Sequence, residues 1–511
     1  MTDTNGPSSD SNLAPQPASG AQLDRSLVHG VAWTAGVKWL SQFLSWPATF
    51  VVVRLLSPND YGLVAMGSVY VGLVSLVNEF GLGSAIIKHR ELSTRQIAQL
   101  NTLCVVFGAI GCLATLGAAY PLAVFYRTPA VTLVVMALSI NFLITSFKTI
   151  PLSLLQRDLQ FRLPAINEAI GSIVQSVSLV LFAYFGFRYW ALVIAFLLSS
   201  ITTTTLTFAQ RPHRFAWPIL REIRESVAFG SHLVGSRLGW YLYTNSDFFI
   251  IGRVLGQTAL GSYSFGWSFA TVPVEKVTSL IGSVAPPIFS AVQRDLPALR
   301  RYVSKLTSGI AFLTIPAGVG LALVTHDFVV VALGDKWISA VEPLRLLAVF
   351  AAFRSLVPII SQAGLVVGLA PFIMRNSIAS ALVMPMAFLV GTRWGTAGVA
   401  ASWLVAYPFV AVPLFIVVAR RIEMNVRDYL GSLWPAMISA AIMVPAVLLV
   451  HAFDASWMPA GRLVTESLVG GVTYFAAVFG FHRSEVQGAV ALFRTIRAPV
   501  LVDAPGTERP A

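Results

Sequence analysis

Ionisable side chains lie inside stretches of sequence that are otherwise apolar, among them Lys38, Glu79, Arg237, Asp247, Glu275, Lys276 and Arg354. A lone charge at the centre of a membrane helix costs about 2.5 to 3.5 kcal/mol on insertion scales, so it is kept facing a cavity or a partner. Lys38 and Arg237 stand 237 − 38 = 199 residues apart, and each follows a glycine by two positions, Gly36 and Gly235. Cations at matched positions can hold one anionic group between them. Arg offers a planar fork to two phosphate oxygens, whereas Lys supplies a point charge. Lys38, Arg237, Lys276 and Arg354 are therefore the candidate ligands of a diphosphate. The simpler account of Lys38 is that its stem reaches the nearby membrane interface. Glu79 and Asp247 are the coupling or ion-pair candidates: Glu79 as a partner of Lys276 or as a proton carrier, Asp247 as a partner of Arg54 or Arg253. His232 reads as a hydrogen-bonded helix residue.

The elements that must position these groups are apolar helices. Of 511 residues, 56% are hydrophobic and 11% charged, with a mean hydropathy of +0.73, against roughly 25% charged in ordinary soluble domains. Apolar segments long enough to cross about 30 Å of hydrocarbon recur from residue 30 to residue 481, about fourteen in all. The net charge of +12 is distributed as topology rather than as a nucleic-acid footprint. Basic residues cluster after every second segment: Lys88, Arg90 and Arg95, then Lys148, Arg157 and Arg162, then Arg211, Arg214, Arg221 and Arg224, and again at Arg300, Arg301, Arg420 and Arg421. The positive-inside rule then places both termini in the cytoplasm. Cys104 and Cys112 fall on one expected helix and read as packing residues, and no cleavable leader is expected.

An internal echo organises the chain. "VVVRLLSPNDYGLVAM" from Val51 and "IIGRVLGQTALGSYSF" from Ile250 align Arg54, Leu56 and Gly62 with Arg253, Leu255 and Gly261, again at an offset of 199. "GFRYWALV" from Gly186 and "GTRWGTAGV" from Gly391 repeat at an offset of 205. The first offset spans six expected helices, an even number, so the copies enter the membrane from the same side, as in parallel-repeat transporters with a central cavity between two lobes. The expected fold is an all-α polytopic membrane protein of two six-helix lobes related by a parallel pseudo-repeat, plus two C-terminal helices. The expected division is a disordered cytoplasmic tail at 1–23, an N-lobe at 24–210, an inter-lobe linker at 211–226, a C-lobe at 227–425, helices thirteen and fourteen at 426–485, and a cytoplasmic tail at 486–511.

The stretches "RLLSPNDYGLVAM", "EFGLGSAIIKHRELS", "LLQRDLQFR", "NSDFFIIGRVLGQTALGSYSF", "PPIFSAVQRD" and "LGDKWISAVEPLRLLA" occur in an order that resembles the bacterial polysaccharide exporter and O-antigen flippase family. That family shares a superfamily with multidrug antiporters and the lipid II flippase. The resemblance covers residues 24–425. It implies a flippase for undecaprenyl-diphosphate-linked oligosaccharides in the bacterial inner membrane, serving capsule, exopolysaccharide or lipopolysaccharide assembly, with a polysaccharide polymerase as a neighbouring partner.

Enzyme signatures are not found: there is no phosphate loop, no HExxH and no Cys or His group with metal-ligand spacing, so no cofactor and no metal are expected. The longest outer connection, residues 326–342, carries Asp327, Asp335 and Glu342 without a pairing that would do chemistry. "KTIPLSLLQRDLQFRLP" and "RPHRFAWPILREIRES" read as amphipathic segments along the inner membrane surface, where they would anchor to membrane lipid or guide an anionic lipid. A multidrug or organic-cation antiporter is the competing function. A cavity holding four cations would repel its substrates.

Overall fold

A computed structural model describes residues 45–78, 82–88, 91–219, 238–453 and 457–481, apart from the side chains of residues 77, 78, 84, 88, 273, 276 and 279–284. Among the described residues the chain is helical and contains no strand. The first half comprises α1 (45–55), α2 (Pro58–Asn78), α3 (Leu82–Lys88), α4 (Thr94–Tyr126), α5 (Ala130–Arg157), α6 (Arg162–Tyr184) and α7 (Tyr189–Gln210). The second comprises α8 (238–254), α9 (Gln257–Ala291), α10 (Leu296–Phe328), α11 (Val341–Arg354), α12 (Val357–Val366), α13 (Ala370–Gly391), α14 (Gly395–Ala406) and α15 (Pro408–Arg421), followed by α16 (Val426–Phe453) and α17 (Pro459–Phe481).

Among the described residues, nine helical runs are long and apolar enough to cross a membrane. Large apolar side chains such as Leu113, Tyr120, Leu382, Phe409 and Val472 point away from the protein, and only hydrocarbon around the molecule makes so much exposed apolar surface stable. The chain is a multi-pass membrane protein. Its helix ends follow local chemistry. α4 starts at a reciprocal cap, Gln96 N donating to Ser93 Oγ at 3.2 Å and Ser93 N to Gln96 Oε1 at 2.9 Å, which satisfies two of the amides a helix start leaves open. α10 starts at Asp295, whose Oδ1 accepts from Ala298 N at 2.9 Å.

Two expected single spans are each two helices: α11 and α12 divide one, α14 and α15 the other. Pro358 and Pro408 lie in the first turn of α12 and α15. There the ring removes an amide donor, while Ser355, Leu356 and Tyr407 at the two breaks keep right-handed helical dihedrals. α10 is followed by a π-helical turn at Val329–Leu333 and a 3₁₀ turn at Asp335–Ala340, joined by Gly334 at φ 91°.

Two expectations for the inner surface are corrected. Leu152 and Leu155 belong to the last turns of α5, and Leu154 and Leu155 are buried, with Ile150 and Leu154 packing among Leu82, Ile86 and Leu100. Apolar contact with α3 and α4 takes precedence over the membrane surface. Residues 211–219 form an extended strap without a helical turn. Ala216 N donates to Thr102 Oγ1 at 3.1 Å and to Ala98 O at 3.3 Å, and Arg211 pairs with Asp158 at 2.7 Å, so α4 and α5 hold the strap down.

Candidate functional site

The two halves meet where the echoed phrases meet. α2 packs on α9 so closely that a β-carbon on Gly62 would stand 2.6 Å from the carbonyl carbon of Gln257, and one on Gly261 2.7 Å from that of Pro58. Pro58 and Gln257 are themselves 199 residues apart, so the contact is nearly its own image under the repeat. Only glycine allows two backbones this near. Asn59 accepts from Thr258 Oγ1 at 3.1 Å and from Gln257 Nε2 across the same seam.

The repeated arginines make exchanged contacts around this centre. Arg54, at the end of α1, donates through Nη2 to the carbonyl of Val331 in the π turn after α10. Arg253, at the end of α8, places its guanidinium 5.7 Å from the ring centre of Phe125 near the end of α4. α4 and α10 stand in matching places in the two halves, so each arginine reaches across to the same kind of target. The last carbonyls of α1, left open as in any helix end, are also capped by the opposite half: Val53 O accepts from Trp337 Nε1 at 3.1 Å and Arg54 O from Lys336 Nζ at 2.7 Å. Trp337 is buried, 5.3 Å from the ring of Tyr61 and 4.6 Å from that of Phe265. Arg188, from the second echo, lies 3.5 Å from buried Asp60. Below this seam, an apolar slot of about 290 Å³ opens between Trp46 and Phe50 of α1 and Phe269, Val272, Leu321 and Phe328 of α9 and α10.

A second polar centre lies inside the C-terminal half. Asp247, on α8, is fully buried and is not paired with Arg54 or Arg253, correcting the expected ion pair. Instead it accepts from Tyr263 Oη at 2.7 Å, Trp403 Nε1 at 3.1 Å and Phe248 N at 2.9 Å. Those bonds tie α8 to α9 and α14 and satisfy the carboxyl oxygens in apolar surroundings, where an unpartnered polar group is costly. Arg354 ends α11 at the Pro358 break, its guanidinium 5.4 Å from the ring centre of Trp267. Tyr407 sits at the Pro408 break, 5.2 Å from Phe350. Arg354 at one break and Tyr407 at the other both border an aromatic wall of Trp267, Phe350 and Trp403, and Trp403 in turn holds Asp247 of α8. Interrupted helices in a membrane are tolerated where they line a protein-enclosed or water-filled site.

Of the expected diphosphate ligands, Arg354 alone is described with its side chain. Lys38 and Arg237 lie outside the described residues, as does Glu79, and the side chain of Lys276 on α9 lies outside them too. Asp327 was expected in an outer connection. It is buried within α10, because the helix runs on to Phe328.

Comparison with known proteins places this architecture. A family model described as polysaccharide biosynthesis protein matches residues 51–342, from the end of α1 to the start of α11 and so across the seam. The chain belongs to that family. This polysaccharide biosynthesis protein is 24% identical over 417 residues to the lipopolysaccharide biosynthesis protein WzxC of Escherichia coli K12, covering 81% of this chain and 85% of the relative. It is 26% identical over 381 residues to the teichuronic acid biosynthesis protein TuaB of Bacillus subtilis 168, covering 73% and 78%. Among solved structures, the lipid II flippase MurJ in an inward closed conformation superposes with a TM-score of 0.73 at 12% identity, covering 89% of this chain and 99% of MurJ. An inward-facing multidrug resistance transporter of the MATE family gives a TM-score of 0.60 at 15% identity, covering 74% and 93%. The protein has the fold these two structures share.

Proposed function

We propose that this polysaccharide biosynthesis protein is a flippase that moves undecaprenyl-diphosphate-linked oligosaccharides across the bacterial inner membrane by alternating access. The observation that carries the reading is the seam: two repeat-related halves are joined by glycine-to-backbone contacts and exchanged arginines, arranged about one pseudo-twofold centre. Rocking about such a centre opens one end while the other closes. In the orientation given by the basic residues, the seam is at the outer end and both termini are cytoplasmic. The division of labour follows the expected boundaries, an N-lobe at 24–210 and a C-lobe at 227–425 moving against each other.

The slot between α1 and α9 gives an isoprenoid chain an apolar place beside the cavity while the headgroup is inside. Arg354, with Lys38, Arg237 and Lys276, supplies the cations for a diphosphate, and Trp267, Tyr243 and Tyr407 supply faces on which sugar rings stack. This is transport rather than group transfer. The relatives' names cover lipopolysaccharide, teichuronic acid and succinoglycan, so the family sets the class of cargo and leaves the sugar open.

The test is flipping in vesicles containing purified protein and a fluorescent undecaprenyl-diphosphate oligosaccharide, with dithionite or lectin accessibility as the readout. Loss of one charge-assisted contact, typically about 1.5 to 3 kcal/mol, lowers apparent affinity by roughly one to two orders of magnitude. Arg354→Ala and Lys38→Ala should each show that loss, and Arg354→Lys should recover part of it. Vesicles that flip no lipid-linked sugar but exchange organic cations for protons would overturn the reading.

A further inference from the structure

α16 and α17 have no part in the seam, yet they bring the most concentrated group of ligating side chains among the described residues against the end of α10. Glu466 of α17 is 2% exposed, and Asp327 of α10 is 3% exposed. His451 of α16 places Nδ1 2.6 Å from Glu466 Oε1. One donor atom from each of Asp327, His451 and Glu466 lies within 4.8 Å of the other two. Beside them is a cavity of about 760 Å³, bordered by His326, Arg345, Val349 and Val447.

The hydrogen bonds leave room for a ligand. Asp327 Oδ1 accepts from Arg462 Nη2 at 2.6 Å and faces His326 Nδ1 at 3.3 Å, while Glu466 uses Oε1 for His451. Asp327 Oδ2 and Glu466 Oε2 accept nothing from the described residues.

We infer that Asp327, His451 and Glu466 form a binding site for a divalent transition-metal ion of the zinc class. One imidazole and two carboxylates are a three-ligand set that leaves a fourth position open to the cavity. An imidazole among the donors selects zinc-like ions over magnesium and calcium, which take oxygen ligands. Arg462 and His326 orient Asp327 through its other oxygen, as partners of metal-bound carboxylates do. The ion would join three helices immediately before Val329, where the turn begins that carries the seam contacts of Val331, Lys336 and Trp337. α16 and α17 would thereby brace that turn.

The experiment titrates the purified, chelator-stripped full chain with Zn²⁺ by calorimetry and by metal analysis after dialysis, with the His451→Ala/Glu466→Gln double variant as baseline so that zinc held elsewhere, Cys104 and Cys112 included, is subtracted. The expected result is one equivalent per chain above that baseline, at least tenfold weaker in Glu466→Gln and in His451→Ala, and changed less than threefold in His326→Ala. Zinc should also raise the thermal midpoint of the wild type and not of the double variant. Two outcomes overturn the inference: binding no greater than the baseline, or equal competition by Mg²⁺ or Ca²⁺. Should a single variant fail to fold, the wild-type stoichiometry and the metal competition still decide the matter.

Discussion

Replacing Gly62 by alanine puts one methyl group into the seam, and its consequence can be worked from distances. The new β-carbon would lie 2.6 Å from the Gln257 carbonyl carbon, whereas carbon contacts are comfortable at about 3.5 Å. Both neighbours are backbone, so α2 and α9 must part by at least about 3.5 − 2.6 = 0.9 Å. A parting of that size stretches the 3.1 Å bond between Asn59 and Thr258 to about 4 Å, beyond hydrogen-bonding range. Overpacking of this kind costs about 1 to 3 kcal/mol. Applied to the closed seam alone, that shifts the balance between seam-closed and seam-open forms by about 5- to 150-fold. The assay is oxidative cross-linking of Asn59→Cys with Thr258→Cys, whose side chains face each other in the closed seam. Gly62→Ala and Gly261→Ala should each lower cross-linking strongly at unchanged protein level, and both together should do no worse than the larger single effect, because either one already separates the same two helices. Cross-linking at the starting rate in Gly62→Ala would refute the idea that close glycine packing holds this end shut.

Asp247→Ala leaves the Tyr263 hydroxyl without its acceptor, at about 1 to 3 kcal/mol for the buried orphan, while Trp403 Nε1 keeps Tyr263 Oη at 3.0 Å; thermal unfolding in detergent should occur at a lower temperature, with Asp247→Asn in between, and an unchanged midpoint would deny the carboxylate its structural role. Pro358→Ala and Pro408→Ala restore amide donors where two helices are interrupted, so both variants should be at least as stable as the wild type but slower in flipping, and equal flipping rates would detach the breaks from transport. Burial first, then the charges of Arg211 and Arg157, holds His213 below its ordinary value of 6.5 against a backbone bond to Thr94. A lowered imidazole pKa means that the released strap binds the proton first, so docking of residues 211–219 on α4 is complete above pH 6.5 and weakens as pH falls below it. Proteolysis beside exposed Trp217 should rise over that range and lose its pH step in His213→Asn; a flat profile in the wild type would remove His213 from strap docking.

Apolar length and charge placement announce the helices because the membrane imposes both on each segment separately, with no need to know its neighbours. The echo around Arg54 and Arg253 was legible for the same reason, although it indicated a matching position and not the exchanged partners, Val331 and Phe125, that explain why an arginine recurs there. Interruptions were harder. "SLVPII" and "VAYPFV" contain Pro358 and Pro408, but proline inside an apolar run is also consistent with a kink in one continuous helix, as at Pro316 of α10. Asp247 could not be resolved locally, since its partners Tyr263 and Trp403 come from 16 and 156 residues away. Glu466 and His451 were overlooked although each stands in an apolar run. Their significance depends on Asp327, which belongs to a turn of helix that reads as loop.

The chemistry of the seam suits a contact that must be broken repeatedly. Arg54 and Lys336 donate to carbonyls at a helix end and a π turn, groups that water satisfies nearly as well on opening, so each bond contributes only about 0.5 to 1.5 kcal/mol net. Arg253 over Phe125 adds a cation–π contact of about 0.5 to 1 kcal/mol at an exposed site. Trp337 is the exception: buried against Tyr61 and Phe265, it must come out of an apolar socket as well as give up Val53. Separation is therefore costliest at Trp337 on the turn after α10 and at the glycine contact of α2 and α9 beside it, and the polar contacts around them set alignment more than strength. The small residues at the centre complete the device. Gly62 and Gly261 let the backbones meet without interlocking side chains, so the halves can part without unthreading anything, and the same bareness makes the seam intolerant of a single added methyl group.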